Sequence, residues 1–534
     1  LLLAAGVCGC VDRPYRVQKI DPAGGNQDRN WEVVPPVEVS ALESYCKARE
    51  ESGDEYEPSA TIEKKQDEDG GLKYWLGFVE VDDQGQLWAK VQRDFVFDEL
   101  DAYADGDEGS IVIVYVHGFR HNAAVCDEKL EAFRWLLRHL AEMERRRVEC
   151  TDERPRKVAG VFVGWRGSQS RGKNPFGFGE RKRGAHRVGE GAGIELMSRV
   201  ASLNRSQKQK SERSRLLVIG HSLGSAVLMS AMHARYEWIL ANWNNEQIDR
   251  DTRFASLFGD LVVFVNPAFE ALRFHEIHRL SRGIGDYDGP TLIVSVSTEE
   301  DAVTGVDFRA AMRGWYKTGD FRNRAQKKAF ITAFGQYEPY WTHEISEETM
   351  VDCVDLLGRR ADPCEKEQPR DEARQDPLEQ FAVQYAMVPE GASEEEAEEY
   401  EEEQKEEARE GDLQCVDLSK VVDLRGTGKS ANPKPSRGKY AGPYFSFVDM
   451  DGSLMEGHND EVENEALIVF IEDLLDSLGI LDPRADSPTG VVDDRLMQQS
   501  VQALPPPPPV EPPPPLPVEP ASPATADAGP PEAD

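Results

Sequence analysis

The sequence predicts an α/β fold: a doubly wound, mostly parallel sheet with helices on both faces. Four runs are apolar throughout and rich in β-branched residues, Ile111 to Val116, Val158 to Val163, Leu216 to Ile219 and Leu261 to Val265, and a fifth, Leu292 to Val296, is apolar except at Ser295. Segments of helical spacing, Val125 to Met143, Arg187 to Leu203 and Ser225 to Leu240, fall between them. No stretch reaches the ~20 apolar residues that a membrane-spanning helix needs, which excludes a multi-span helical membrane protein. A strand that is apolar at every position must be covered on both sides, and alternating strands and helices supply that cover.

Taken in order, Tyr74 to Val81 and Leu87 to Phe97 are strand-like runs around Asp83-Gln84-Gly85, a hairpin signal. The alternation above follows, and late in the chain come a strand over Tyr444 to Val448 and a helix over Val462 to Leu478. Upstream, Val7-Cys8-Gly9-Cys10 resembles a bacterial lipoprotein cleavage box, with Cys10 as the acylated first residue after an export signal. The polar stretch Asp12 to Asn30 then reads as a tether; a short apolar N-terminus that packs on the domain is the alternative. The expected organisation is a signal remnant and tether over 1–30, the first part of the core over 31–365, and an acidic insert over 366–440. The core's last strand and helix follow over 441–482, then a Pro-rich tail over 483–534.

With 62 Lys and Arg against 98 Asp and Glu, the net charge of −36 would repel phosphate backbones, so nucleic acid is excluded as a partner. Any membrane association has to come from something other than a basic surface, such as the lipid anchor expected at Cys10. Glu394 to Glu410 is almost all acidic, and proline dominates from Leu504 onward; both lack the apolar surface that offsets the entropy of ordering. Export would put the cysteines in a disulfide-permissive compartment. Helical spacing would hold Cys126 and Cys150 roughly 30 Å apart, too far to bond, which favours Cys353 with Cys364.

Chemistry concentrates at Gly220-His221-Ser222-Leu223-Gly224, which lies between a strand and a helix. Such a turn lifts a serine clear of the sheet and aims the helix's amide dipoles at a developing oxyanion. The amide of Leu223 is one expected oxyanion donor. The other is Phe119, in His117-Gly118-Phe119-Arg120 after the strand that ends at Val116, where glycine permits close approach. The base needs an acid to fix its tautomer. Asp301, just past the Leu292 to Val296 strand, is favoured over its rivals Glu299, Glu300 and Glu270. For the base, His458 follows the last strand and precedes the last helix; His343, beside Tyr340 and Trp341, is its rival or a substrate contact. His117, Gly118 and His221 are expected on the substrate side of the site.

The order Ser222, Asp301, His458 and the serine elbow resemble the α/β-hydrolase superfamily, on its lipase and esterase-like side, over about Tyr74 to Leu478. Gly164-Trp165-Arg166-Gly167, Asn266-Pro267-Ala268-Phe269-Glu270, Thr342-His343-Glu344 and Gly457-His458-Asn459-Asp460 are similar to a bacterial and fungal group within it. The resemblance implies a serine hydrolase acting on a small-molecule or lipid carboxylic ester through an acyl-enzyme, with no cofactor and no metal. A noncatalytic, surface-tethered interaction protein on the same scaffold is the competing expectation.

Gly426-Thr427-Gly428-Lys429-Ser430 lacks the leading glycine of a phosphate loop, and Asn432-Pro433 stands where a helix should run. Asp449-Met450-Asp451-Gly452 brings its glycine too early for a calcium loop. Arg166 to Arg187 reads as a solvated connection or a rim near the site.

Overall fold

Along β6 (Ser110–Val116), Val112, Val114 and Val116 pack into one hydrophobic cluster while Ile111, Ile113 and Tyr115 pack into another on the opposite face. The same alternation runs through β7 (Lys157–Gly164), β8 (Arg215–His221), β9 (Leu261–Val265) and β10 (Ile293–Thr298). That is why β6, β7 and β9 carry no polar face, while β10 places Ser295 and Ser297 among its buried residues: each fully buried apolar side chain contributes about 1.5–3 kcal/mol. In this computed structural model the described residues are 14–19, 31–39, 60–66, 72–148, 153–167, 178–243, 258–281, 293–315, 320–345, 350–352, 414–416, 422–423, 445–450 and 458. The chain divides into one unit over 1–488 and a second over 489–534, which lies outside the described residues, as do the Pro-rich tail, Glu394 to Glu410 and the helix expected over Val462 to Leu478.

The remaining strands are β1 (Val17–Lys19), β2 (Trp31–Val33), β3 (Val37–Glu38), β4 (Ile62–Gln66), β5 (Leu72–Glu80), β11 (His343–Ile345), β12 (Met350–Asp352), β13 (Gln414–Val416), β14 (Val422–Asp423) and β15 (Phe445–Met450). Eleven of the described strands form one mixed sheet in the order β14-β11-β15-β10-β9-β8-β6-β7-β5-β4-β3. Every neighbouring pair from β5 to β11 is parallel, with antiparallel pairing only at β4–β5 and β11–β14. The chain reverses its direction of travel across the sheet between β6 and β8, and at such a switch point the carboxyl ends of the strands open a crevice.

The helices are α1 (Lys90–Ala104), α2 (Glu128–Val148), α3 (Phe178–Val188), α4 (Ile194–Lys210), α5 (Leu223–Ala241), α6 (His275–Ser281), α7 (Phe308–Trp315) and α8 (Arg324–Ile331). α2 covers one face through Leu130, Phe133, Leu137 and Leu140; α1, α4 and α5 cover the other. The chain is therefore an α/β protein with a mostly parallel sheet and helices on both faces.

Some elements differ from expectation. Asp82 Oδ1 accepts from the amides of Gln84 and Gln86 at 2.8 and 2.9 Å and Gly85 takes φ 80°, so the turn forms, but it closes only the isolated bridge Val81 to Leu87. Leu87 to Phe97 is not a strand: α1 begins at Lys90, and Val96, Phe97, Leu100 and Ala104 are buried at a helical period visible only beyond Phe97. The helix expected over Arg187 to Leu203 is interrupted at Gly189–Gly193, where Gly191 (φ −99°, ψ −114°) leaves helical space. The second half of Arg166 to Arg187 is α3 and not a loop, while 168–177 lies outside the described residues.

Within the stretch read as a tether, Arg16 and Val17 are buried. The Arg16 guanidinium lies 3.6 Å from the Phe78 ring centroid, binds Glu63 at 2.7 Å and donates to the Ala123 carbonyl at 2.7 Å. A buried guanidinium needs such partners, and they fix residues 14–19 to the body. Likewise β13 and β14, inside the insert, pair with β12 and β11. Cys126 is disulfide-bonded, whereas Cys10, Cys150, Cys353 and Cys364 lie outside the described residues.

Candidate active site

The sheet register sets the site. Val116 pairs with Gly220, His221 with Val265, and Val265 with Val296, so the residues that follow β6, β8, β9 and β10 leave the sheet along one edge. Ser222 is the turn residue between β8 and α5, with φ 53° and ψ −120°. That conformation costs a non-glycine residue of order 1–3 kcal/mol and persists only where the surroundings hold it. Here the Ser222 amide donates to the Val265 carbonyl at 3.0 Å and its own carbonyl accepts from the Ala268 amide at 3.1 Å. The turn also requires Gly224, because a Cβ there would run into the Val116 carbonyl oxygen.

Ser222 Oγ stands 2.7 Å from His458 Nε2, and His458 Nδ1 stands 2.8 Å from Asp301 Oδ2. A carboxylate can only accept, so Nδ1 carries the proton and Nε2 is left to accept from the serine hydroxyl. Asp301 is buried and fully engaged: the amides of Val303 and Thr304 donate to Oδ1 at 2.9 and 3.1 Å, and the Thr304 hydroxyl donates to Oδ2 at 2.5 Å. Burial by itself would raise its pKa. The hydrogen bond and charge of His458, with the two Thr304 donors, outweigh that and hold the carboxyl below its ordinary range.

The rival acids are elsewhere engaged or solvated. Glu299 and Glu300 are exposed. Glu270 is buried against Lys182 at 2.5 Å and Arg273 at 3.1 Å; burial works against its charge, but Lys182 first and then its other neighbours hold its pKa well down. His343 lies in β11, paired with Val448 and Asp423, and its side chain lies outside the description.

Gly118 lies directly against the nucleophile: a Cβ there would stand 2.8 Å from Ser222 Cβ and 2.9 Å from His221 Nδ1. Phe119 follows, half-buried, its ring 5.9 Å from Phe178 in an edge contact, and Phe178 makes the same contact with Phe308. The loop carrying Phe119 is braced below. Arg134 donates to the Val125 carbonyl at 3.0 Å and shares the buried Glu63 with Arg16. Asp127 accepts from the amides of Asn122 and Lys129 at 3.0 and 3.1 Å.

Two histidines expected on the substrate side are turned inward. His117 is buried, stacked on Trp165 (5.7 Å, 7°), and its Nε2 accepts from the Trp165 amide at 3.1 Å while Nδ1 donates to the Gly118 carbonyl at 3.0 Å. Burial, the largest influence, lowers its pKa to about 4, so it is a neutral pillar under the loop and not a substrate contact. His221 is buried and directs Nε2 to the His458 carbonyl at 2.7 Å. Thr304, Asn266, Trp165 and the Arg16–Glu63–Arg134 network were not singled out as site residues by the sequence; only Trp165 and Asn266 lay in motifs that drew notice. Among the described residues, no group of three or more His, Cys, Asp or Glu could hold a metal ion, and no helix is long and apolar enough to cross a membrane. Gly426 to Ser430 lies outside the described residues.

A nucleophile on a strained turn, an imidazole with its free nitrogen toward the hydroxyl, and a buried carboxylate behind it make up the arrangement for acyl transfer. No family model, curated protein or solved structure matches this chain.

Proposed function

We propose that the protein is a serine hydrolase of the α/β-hydrolase type that cleaves a carboxylic ester through an acyl-enzyme. The single observation that supports this most is the continuous relay of 2.7 and 2.8 Å contacts from Ser222 through His458 to Asp301. Ser222 Oγ attacks the ester carbonyl carbon as His458 Nε2 takes the hydroxyl proton, and Asp301 stabilises the imidazolium that forms. The developing oxyanion is held by the amide of Leu223, at the N-terminus of α5, and by that of Phe119. His458 then returns the proton to the departing alcohol, and water repeats the sequence to release the acid. Neither step calls on a cofactor.

The cleavage box ending at Cys10 supports export and attachment to a membrane through a lipid on that residue, the short link to the buried Arg16 keeping the body near the surface. Incorporation of labelled fatty acid into wild type and not into Cys10→Ser tests it.

A fluorophosphonate probe and p-nitrophenyl esters of increasing acyl length test the hydrolase reading. Wild type should label and turn over while Ser222→Ala should do neither. An unreactive, folded wild type would leave a noncatalytic interaction protein on this scaffold.

A further inference from the structure

His458 reaches the site on a segment 157 residues beyond Asp301 and 236 beyond Ser222, yet three of its atoms are held. Its ring nitrogens meet Asp301 and Ser222. Its backbone carbonyl oxygen is also gripped, by His221 Nε2 at 2.7 Å and by Asn266 Nδ2 at 3.4 Å. A carbonyl only accepts, so both side chains present N–H groups to it, and His221 carries a proton on Nε2. The two imidazoles lie 5.0 Å apart between ring centroids, tilted by 44°.

We propose that His221, assisted by Asn266, is a positioning residue that docks the base-bearing segment onto the nucleophile elbow through the His458 carbonyl. This rests on the hydrolase reading above and adds to it how the distant base is registered. The two clamps occupy fixed points. His221 ends β8 one residue before Ser222, and Asn266 follows β9 in a left-handed conformation (φ 43°), its amide donating to the Val296 carbonyl at 2.9 Å. Nucleophile and clamp therefore share one rigid turn. The distance from Ser222 Oγ to the base is set by the same backbone that sets the nucleophile, and an error of about 1 Å there is worth on the order of 100-fold in rate.

The chemistry makes specific demands on replacements. His221→Phe fills the same buried space without a donor. His221→Gln places an amide nitrogen near the Nε2 position, whereas His221→Asn ends near Nδ1 and falls short of the carbonyl. With p-nitrophenyl esters, His221→Phe and His221→Asn should lower kcat by roughly 30- to 100-fold with KM within a few-fold of wild type. His221→Gln should recover to within about 5-fold, and Asn266→Gly, which removes the longer contact while keeping the backbone conformation accessible, should lose only a few-fold.

A second readout needs no turnover: the far-downfield proton of the His458–Asp301 hydrogen bond, followed by NMR, should persist in His221→Gln and weaken or vanish in His221→Phe and His221→Asn. Equal activity and an unchanged downfield proton in folded His221→Phe or His221→Asn would overturn the proposal. So would a folded His221→Gln no better than His221→Asn. Should wild type fail to react with a fluorophosphonate, the hydrolase reading fails by itself, and the downfield proton still decides whether His221 registers His458.

Discussion

The two halves of the Ser222–His458–Asp301 constellation are held in different ways. Ser222 and Asp301 sit on turns that directly continue buried strands, and each is fixed by backbone hydrogen bonds from its own neighbourhood: Val265 and Ala268 around the serine, Val303 and Thr304 around the acid. The contacts of His458 among the described residues reach groups far away in sequence, at the ends of β8, β9 and β10: Ser222, Asp301, His221 and Asn266. The difference teaches that Ser222 and Asp301 are held by the backbone of the turns they occupy, whereas His458 is held in register by side chains from distant parts of the chain. Damage to the first half should thus appear in stability as well as rate, and damage to the second mainly in rate.

The largest expected effect, about 10⁶-fold in kcat, comes from Ser222→Ala or His458→Ala, and the two together should cost little more than either alone. Steady-state ester hydrolysis on single and double variants checks this; strictly multiplicative losses would mean that the two do not act as a unit. Next, Asp301→Asn should lower kcat by about 10⁴-fold, because an amide in that place no longer holds the proton on His458 Nδ1. Its stability effect carries a sign: the carboxyl's pKa is lowered on folding, so its contribution is full above the ordinary carboxylate range near 4 and fades as pH falls through the folded value. Urea unfolding of Asp301→Asn should therefore differ most from wild type near neutrality and converge with it in acid.

A smaller loss, on the order of 10²-fold in kcat, is expected for Gly118→Ala, whose Cβ would press on Ser222 and His221 and shift the loop that carries Phe119. A fluorophosphonate labelling rate that falls in step with kcat would place the damage in the shared acylation chemistry.

The last prediction is one of stability alone. His117 and His186 titrate at about 4 and about 3 in the folded chain, burial being the main cause for both, against roughly 6.5 when unfolded. The unfolded chain then binds more protons between those values, so stability is full above about 6.5 and is lost as pH falls toward 4 and below. For His117 the loss by pH 4 is about 3 kcal/mol, read as a falling urea midpoint. His117→Gln, which removes the titration, should flatten that slope even though it sacrifices the stacking on Trp165.

Much of this was legible along the chain. Strands β6 to β10 announce themselves because burial on both faces favours runs of apolar, β-branched residues, and the serine elbow because a strand, a tight turn and a helix must follow one another there. Legibility failed where a local signal was satisfied in another way. The Asp82 turn formed without its second strand, since the helical period of α1 outweighed one bridge. Arg16 lay in a polar stretch that gave no reason to expect a buried guanidinium, because its partners Glu63, Phe78 and Ala123 are 47 to 107 residues away or contribute a ring or a carbonyl that any sequence could offer.

The sequence alone determined the sheet class, the serine turn at Ser222 and the excess of negative charge, since each depends on residue type and short-range order. Only the tertiary structure decided which acid stands behind His458 and which groups His117 and His221 meet. Asp301 differs from Glu299 and Glu300 in being buried beneath Thr304 and His458, and the two histidines differ from substrate contacts in the direction their nitrogens face. Burial and hydrogen-bond direction arise from residues that meet only when the chain folds, so no window of sequence contains them.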